Sequence, residues 1–219
     1  MPRLCFEKTG NAVWISHLDL MRVFQRAFKR AGLPLTHTQG FNPRPSVSIA
    51  LPLSVGIESV CELLDFDLDG DEIPNDEICR RLNGALIDGI RVREVYSDGR
   101  KIKHIAYLDC VLTLEYDAGV PSGAAEAIAA LFARQELVVT KKSKNGNTEQ
   151  NIIPMIRSLQ VQNPDAHTLK IAARICGQNP SLNPMQLSAA IETYLPDLTP
   201  DFAACRREAV YDLQETIFR

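Results

Sequence analysis

Residues 16–45 constrain the fold more than any other stretch of the chain. Ser16 is suited to cap a helix, and Asp19, three residues on, gives a capping-box-like start. Leu20, Met21, Phe24, Ala27, Phe28 and Ala31 then recur at helical spacing and predict one apolar, buried stripe. Arg22, Arg26 and Arg30 recur at i, i+4 and i+8 with Lys29 alongside, so one exposed face is basic. Gly32 is the glycine expected just past a helix end, and Pro34 prevents continuation. Leu35 to Gln39 reads as a short strand, followed by the turn Gly40-Phe41-Asn42-Pro43-Arg44-Pro45.

That turn has an unusual composition. Gly40 permits positive φ, while Pro43 and Pro45 stiffen the loop and restrict the residues before them. Phe41, Asn42 and Arg44 are thereby held on a stiff loop, a set suited to stacking on a base and pairing with a phosphate. The competing expectation is a plain strand connection with Phe41 tucked into the core.

The surrounding chain supplies a scaffold. Arg3 to Lys8 alternates as a strand, with Leu4 and Phe6 on one face and Arg3, Cys5 and Glu7 on the other. Ser46 to Leu53 and Cys61 to Leu68 read as strands, Asp76 to Leu86 as a helix, and Ile90 to Tyr96 as a strand. The order is strand, helix, strand, strand, helix, strand, the ferredoxin-like βαββαβ pattern of the α+β class. After a polar linker the pattern restarts. Tyr107 to Tyr116 is a strand, Gly123 to Arg134 a helix and Leu137 to Lys141 a strand. Lys142 to Gln150 is a polar hairpin tip, and strands at Ile152 to Val161 and Thr168 to Cys176 follow. A helix from Met185 to Leu195 and a last strand from Phe202 to Leu213 complete it. The expectation is two tandem ferredoxin-like halves, residues 1–103 and 104–219, the second looser than the first.

Charge is uneven along the chain. The net charge of −3 argues against coating nucleic acid through bulk charge. Residues 1–45 nevertheless hold seven Lys/Arg against two acids, whereas Glu58 to Glu77 holds nine acids and no Lys or Arg. Strand alternation puts Glu7, Asp65 and Asp67 on the sheet face away from the helices. That predicts an acidic face that repels phosphate, so RNA is expected over the first helix and the loops instead. The basic tip from Lys141 to Asn147 offers Lys141 and Lys142 as a second phosphate contact.

Several chemistries are excluded. The six cysteines lie at least 18 residues apart, which rules out CxxC zinc sites and the CxxxCxxC triplet of a radical SAM cluster. There is no P-loop, GxGxxG, HExxH or GxSxG, and the four histidines have no metal-ligand spacing, so neither a metal nor a cofactor is expected. No apolar run approaches a membrane span, and free thiols in a reducing cytoplasm are expected. His17 at the helix start and His37 before the turn form the one conceivable acid/base pair, provided that the two meet.

The run ISHLDLMRVFQRAFKRAGLPLTHTQGFNPRPSVSIALPLSVGIES resembles the radical-SAM-linked proteins, a bacterial domain of unknown function found alone or fused behind a radical SAM enzyme. The resemblance rests on Ser16-His17-Leu18-Asp19, the Arg26 to Pro34 break, Gly40-Phe41-Asn42-Pro43, Pro52-Leu53 with Gly56, and Glu62 with Asp65. It extends more weakly to Lys141-Lys142 and Ile153-Pro154, where this chain has Asn151 in place of the family's usual acid. It implies RNA-related work beside a radical SAM enzyme that modifies tRNA or rRNA. The tandem arrangement is also similar to CRISPR repeat-processing endoribonucleases, a fold-level analogy.

Three functions follow as expectations. The first is a non-catalytic RNA-binding or substrate-presenting module using Arg22, Arg26, Arg30, Phe41, Asn42, Arg44, Lys141 and Lys142. The second is a metal-independent endoribonuclease using His17 and His37. The third is a protein adaptor whose acidic 58–77 segment docks a basic partner.

Overall fold

A computed structural model describes residues 1–143 and 146–219, with the side chains of residues 141–143 outside the described set. The described residues form a mixed α+β fold with antiparallel sheets and four α-helices. The chain divides into two compact units, Met1–His104 with Phe218–Arg219, and Ile105–Ile217.

The first unit runs β1 (Arg3–Lys8), α1 (His17–Arg30), β2 (Val47–Ala50), β3 (Ile57–Phe66), α2 (Asn75–Asn83) and β4 (Ile90–Tyr96). Its strands lie in the order β4-β1-β3-β2, each antiparallel to its neighbours. Alternation on β1 and β3 turns Leu4, Phe6, Leu64 and Phe66 to one face, with Leu4 opposite Leu64. There they meet Leu20, Phe24, Ala27 and Phe28 of α1 and Ile78 and Leu82 of α2. The Phe6 and Phe24 rings meet edge-on at 4.7 Å, and Phe28 meets Phe66 at 5.1 Å. Each such side chain contributes about 1.5–3 kcal/mol by leaving water.

Boundaries differ from the sequence reading where pairing is long-range. Leu35 to Gln39 forms no strand; it makes only isolated bridges, Leu35 with Leu68 and His37 with Pro45. Strand β2 stops at Ala50 because Leu51 takes a positive φ of 46° and Pro52 lacks an amide donor. Strand β3 begins at Ile57, four residues before the expected Cys61. Gly89 packs its backbone on the turn after β1. With φ at +82°, a Cβ there would collide with Thr9 O and sit 2.8 Å from the Ala12 Cβ.

The second unit runs β5 (Tyr107–Glu115), α3 (Ala124–Phe132), β6 (Val138–Ser143), β7 (Gly146–Asn151), β8 (Ile156–Asp165), β9 (Thr168–Cys176), α4 (Met185–Tyr194) and β10 (Phe202–Tyr211). Its sheet order is β10-β5-β9-β8, with β6 and β7 paired apart as a hairpin. Without that hairpin, the chain order and strand order repeat those of the first unit. Leu108, Cys110, Leu112 and Leu114 of β5 are buried, as are Ile128 of α3 and Ile191 of α4. The expected polar tip is largely a ladder from Val138–Asn151 to Ser143–Gly146. Asn151 braces its base: Oδ1 accepts from the backbone N–H of Leu137 at 3.0 Å and of Ile153 at 3.2 Å.

Candidate functional site

Local chemistry fixes both ends of α1. At its start Ser16 Oγ accepts from Asp19 N–H at 3.2 Å and donates to Asp19 Oδ2 at 2.7 Å. The Ser16 hydroxyl, and after it Arg22, hold the Asp19 carboxyl below its ordinary pKa. Ile15 and Leu20 both pack on the core, a hydrophobic staple across the cap. Lys8, buried beside them, donates from Nζ to Val13 O and Ile15 O, each at 3.0 Å. Burial lowers the Lys8 pKa against the opposing attraction of Glu62. The segment entering α1 is therefore pinned from below, and Trp14, Leu18 and Val55 remain exposed around it. A Cβ at Gly56 would sit 3.4 Å from the Trp14 ring.

The other end closes as a Schellman motif. Leu33 N–H donates to Phe28 O at 2.9 Å and Gly32 N–H to Lys29 O at 3.3 Å, with Leu33 buried against the core. This closure turns the chain back alongside α1 and leaves a pocket of about 470 Å³. Phe28, Leu33, Pro34, Leu35 and Pro45 supply its apolar lining, and Gln25, Lys29 and His37 its polar groups.

Beyond the pocket the chain folds into a short hairpin. Thr38 N–H donates to Arg44 O at 2.8 Å, and Arg44 N–H donates to Thr38 Oγ1 at 3.0 Å. Thr36 donates from its amide to Asp67 O and from its hydroxyl to Asp67 Oδ2, which ties the base to the sheet edge. The tip is solvent. Phe41 has a relative exposure of 112%, and Asn42 and Arg44 are exposed beside it. The expectation of Phe41 in the core is wrong, because the cross-hairpin bonds hold the tip off the core.

The basic row on α1 is not uniform. Arg22 donates to Asp19 at 2.8 Å, and Arg30 caps Ala85 O across the gap to α2 at 2.5 Å. Arg26, Lys29 and the guanidinium of Arg44 have no partner among the described residues. The backbone of Lys141 and Lys142 lies in β6, but their side chains, and all of Lys144, are outside the described residues.

The sheet face turned from the helices is not the acidic surface that alternation suggests. Asp65 takes two hydrogen bonds from Arg3, at 2.6 and 3.2 Å, and Glu7 is paired with Arg93 at 3.0 Å. Burial opposes the charge on Arg3, but Asp65 outweighs it and the Arg3 pKa lies above its ordinary value. Phe218 lies under the guanidinia of Arg3 and Arg100, and Arg219 pairs with Glu94. Cys5 on the same face has its thiol pushed up to about 11, chiefly by burial.

One further grouping is not assembled. His17 is the first residue of α1, whereas His37 shares its pocket with Lys29 near the other end; those positions are about 18 Å apart along the axis. Several of the acids from Glu58 to Glu77 are engaged internally, while Asp69, Asp71, Glu72 and Asp76 are exposed. Glu62 is buried, Asp65 and Asp67 are bonded as above, and Glu77 is bonded to Arg80 and Arg81. Among the described residues no group of three His, Cys, Asp or Glu is placed to hold a metal ion. Among the described residues no helix is long and apolar enough to cross a membrane. Sequence reasoning missed the pocket and the exposed Trp14. Gln25 and His37 line one pocket only because the hairpin folds back, while the signal for Trp14 is its place one residue outside the staple.

Comparison with solved structures finds likeness of fold. One chain of a Cbf5-Nop10-Gar1 complex superposes with TM-score 0.53 at 9% identity, over 95% of this chain and 48% of that one. A chain of an archaeal box H/ACA sRNP Nop10-Cbf5 complex gives 0.45 at 9% identity, over 94% of this chain and 46% of that one. The chain thus spans about half the length of these structures. No curated protein matches it. A family profile described as an uncharacterized protein conserved in bacteria (DUF2344) matches residues 2–184, most of the chain, and the protein belongs to that family.

Proposed function

We propose that the protein is a non-catalytic RNA-binding module that presents structured RNA, tRNA or rRNA, to a partner enzyme. The observation that carries this reading is Phe41, wholly exposed on a braced hairpin beside Arg44, with Arg26 and Lys29 unpartnered on the neighbouring helix. An aromatic ring held in water has its faces open for stacking on an unpaired base. Guanidinium groups without internal carboxylates are available to phosphates. Asn42 adds an amide at the tip, and Arg22 joins the row where phosphate displaces Asp19.

The strand order β4-β1-β3-β2 and its repetition support reading residues 1–103 and 104–219 as two ferredoxin-like halves. The motif resemblance at Ser16-His17-Leu18-Asp19 and Gly40-Phe41-Asn42-Pro43 supports a radical SAM enzyme as the partner. Six free cysteines suit a reducing cytoplasm.

The test is titration of a labelled, structured RNA across a salt series, with the native protein and Arg26→Glu/Arg44→Glu. Reversal should weaken binding by at least about tenfold at low salt and flatten the salt slope by about two. Circular dichroism should be unchanged. Equal affinity for the two proteins sinks the reading.

A further inference from the structure

We propose that the pocket between α1 and the 36–46 hairpin is a binding site for a single unpaired nucleotide, base inward and phosphate at the mouth. The proposal rests on the RNA-binding reading only for the origin of that nucleotide, which is either a base flipped from a structured RNA or a free mononucleotide. The volume of about 470 Å³ lies within the roughly 300–1,000 Å³ typical of small-molecule sites.

The lining is arranged for a planar, polar, negatively charged ligand. Phe28 and Leu33, both buried, present apolar surface from the core side, and Leu35 and Pro45 extend it. Such a slot accepts the faces of a heterocycle. The Gln25 side-chain amide carries both donor and acceptor, which a base edge requires. His37 adds a ring and Lys29 an ammonium group. None of these three side chains has a hydrogen-bonding partner among the described residues. An apolar pocket with a few polar groups at its edge is the usual form of a ligand site.

The helix end sets the orientation. Carbonyls of the last turn carry partial negative charge, which disfavours an anion deep in the pocket. Phe28 O and Lys29 O are already satisfied by Leu33 and Gly32, so a neutral base can lie against them. The phosphate belongs outward, near Lys29 and near Arg44, the residue preceding Pro45 of the lining.

The experiment compares two RNA hairpins that differ at one bulged position, a nucleotide in one and an abasic residue in the other. Adenosine monophosphate serves as the free source, followed by NMR chemical shifts. The native protein should bind the bulged RNA at least about tenfold more tightly than the abasic RNA. Gln25→Trp, which fills the pocket from the half-exposed helix flank, should abolish that difference and leave affinity for the abasic RNA unchanged. Equal affinity of the native protein for both RNAs overturns a flipped base as the occupant and leaves RNA binding standing. Failure to bind either RNA overturns the RNA reading instead. The mononucleotide titration then decides the pocket: saturable shifts at Gln25, Lys29 and His37 support it, and their absence overturns it. Thermal unfolding checks that Gln25→Trp is folded; if it is not, the abasic comparison decides with the native chain alone.

Discussion

On the sheet side of the first unit, Arg3 holds Asp65 at 2.6 Å, Arg93 holds Glu7 at 3.0 Å, and Arg219 is paired with Glu94. On the α1 side, Arg26, Lys29 and Arg44 meet no carboxylate among the described residues. Counting charges along the sequence ranks these surfaces as acidic and basic. The structure divides them differently, into charges already neutralised by neighbours and charges still open to a ligand. Only the second kind supplies binding energy without first breaking an internal contact. The same distinction separates members of one helical row, since Arg22 and Arg30 are engaged and Arg26, between them, is not.

The largest effect that would sharpen this contrast is on the sheet side. Arg3 is 4% exposed, and Arg3→Ala strands Asp65 and removes one of the two guanidinia over Phe218. A loss of about 2–3 kcal/mol in urea unfolding is expected, discounted because Asp65 is partly solvated, with RNA affinity of the folded fraction unchanged. A drop in intrinsic RNA affinity would break the comparison by making Arg3 a binding residue.

Phe41→Ala should do the reverse. Its ring touches water, so stability should hold within about 0.5 kcal/mol, while affinity for structured RNA should fall about tenfold through lost stacking. A destabilised variant, or one of native affinity, contradicts the assignment of the hairpin tip.

The smallest effect concerns a pairing that is already complete. Arg80 and then Arg81 bring the Glu77 carboxyl to about 2 from its ordinary 4.5. The folded value lies below the unfolded one, so this contribution is present above about pH 4.5 and lost as pH falls toward 2. The stability difference between native protein and Glu77→Gln, followed by thermal unfolding, should shrink across that interval. A difference independent of pH would show that the Glu77 ion pairs contribute nothing to stability.

Legibility in the sequence followed the range of the interactions. Helix α1 was readable at both ends because its caps lie within a turn of the chain: Ser16 with Asp19, and Gly32 and Leu33 with Lys29 and Phe28. The core face of β1 and β3 was readable because alternation is local. Pairings such as Arg3 with Asp65, 62 residues apart, were not, so the sheet face was misjudged. The β6–β7 ladder was only half readable, for another reason. Its first strand was legible from Leu137 to Lys141, where Val139 is buried, but β7 is polar and mostly exposed, which leaves no periodicity to detect there. The hairpin tip was identified by composition, but its exposure was decided by Thr38 and Arg44 bonding across its base.

That crossing has a consequence for the entropy of recognition. A loop that must order on contact gives up part of its affinity to do so. Here Thr36, Thr38, Arg44 and Ser46 are already tied by backbone bonds, and Pro43 and Pro45 have fixed φ. Asn42 is restricted by Pro43 after it, so what freedom remains to be lost lies in Gln39 to Phe41. The hairpin therefore meets a ligand with most of its ordering cost absorbed when the chain folds.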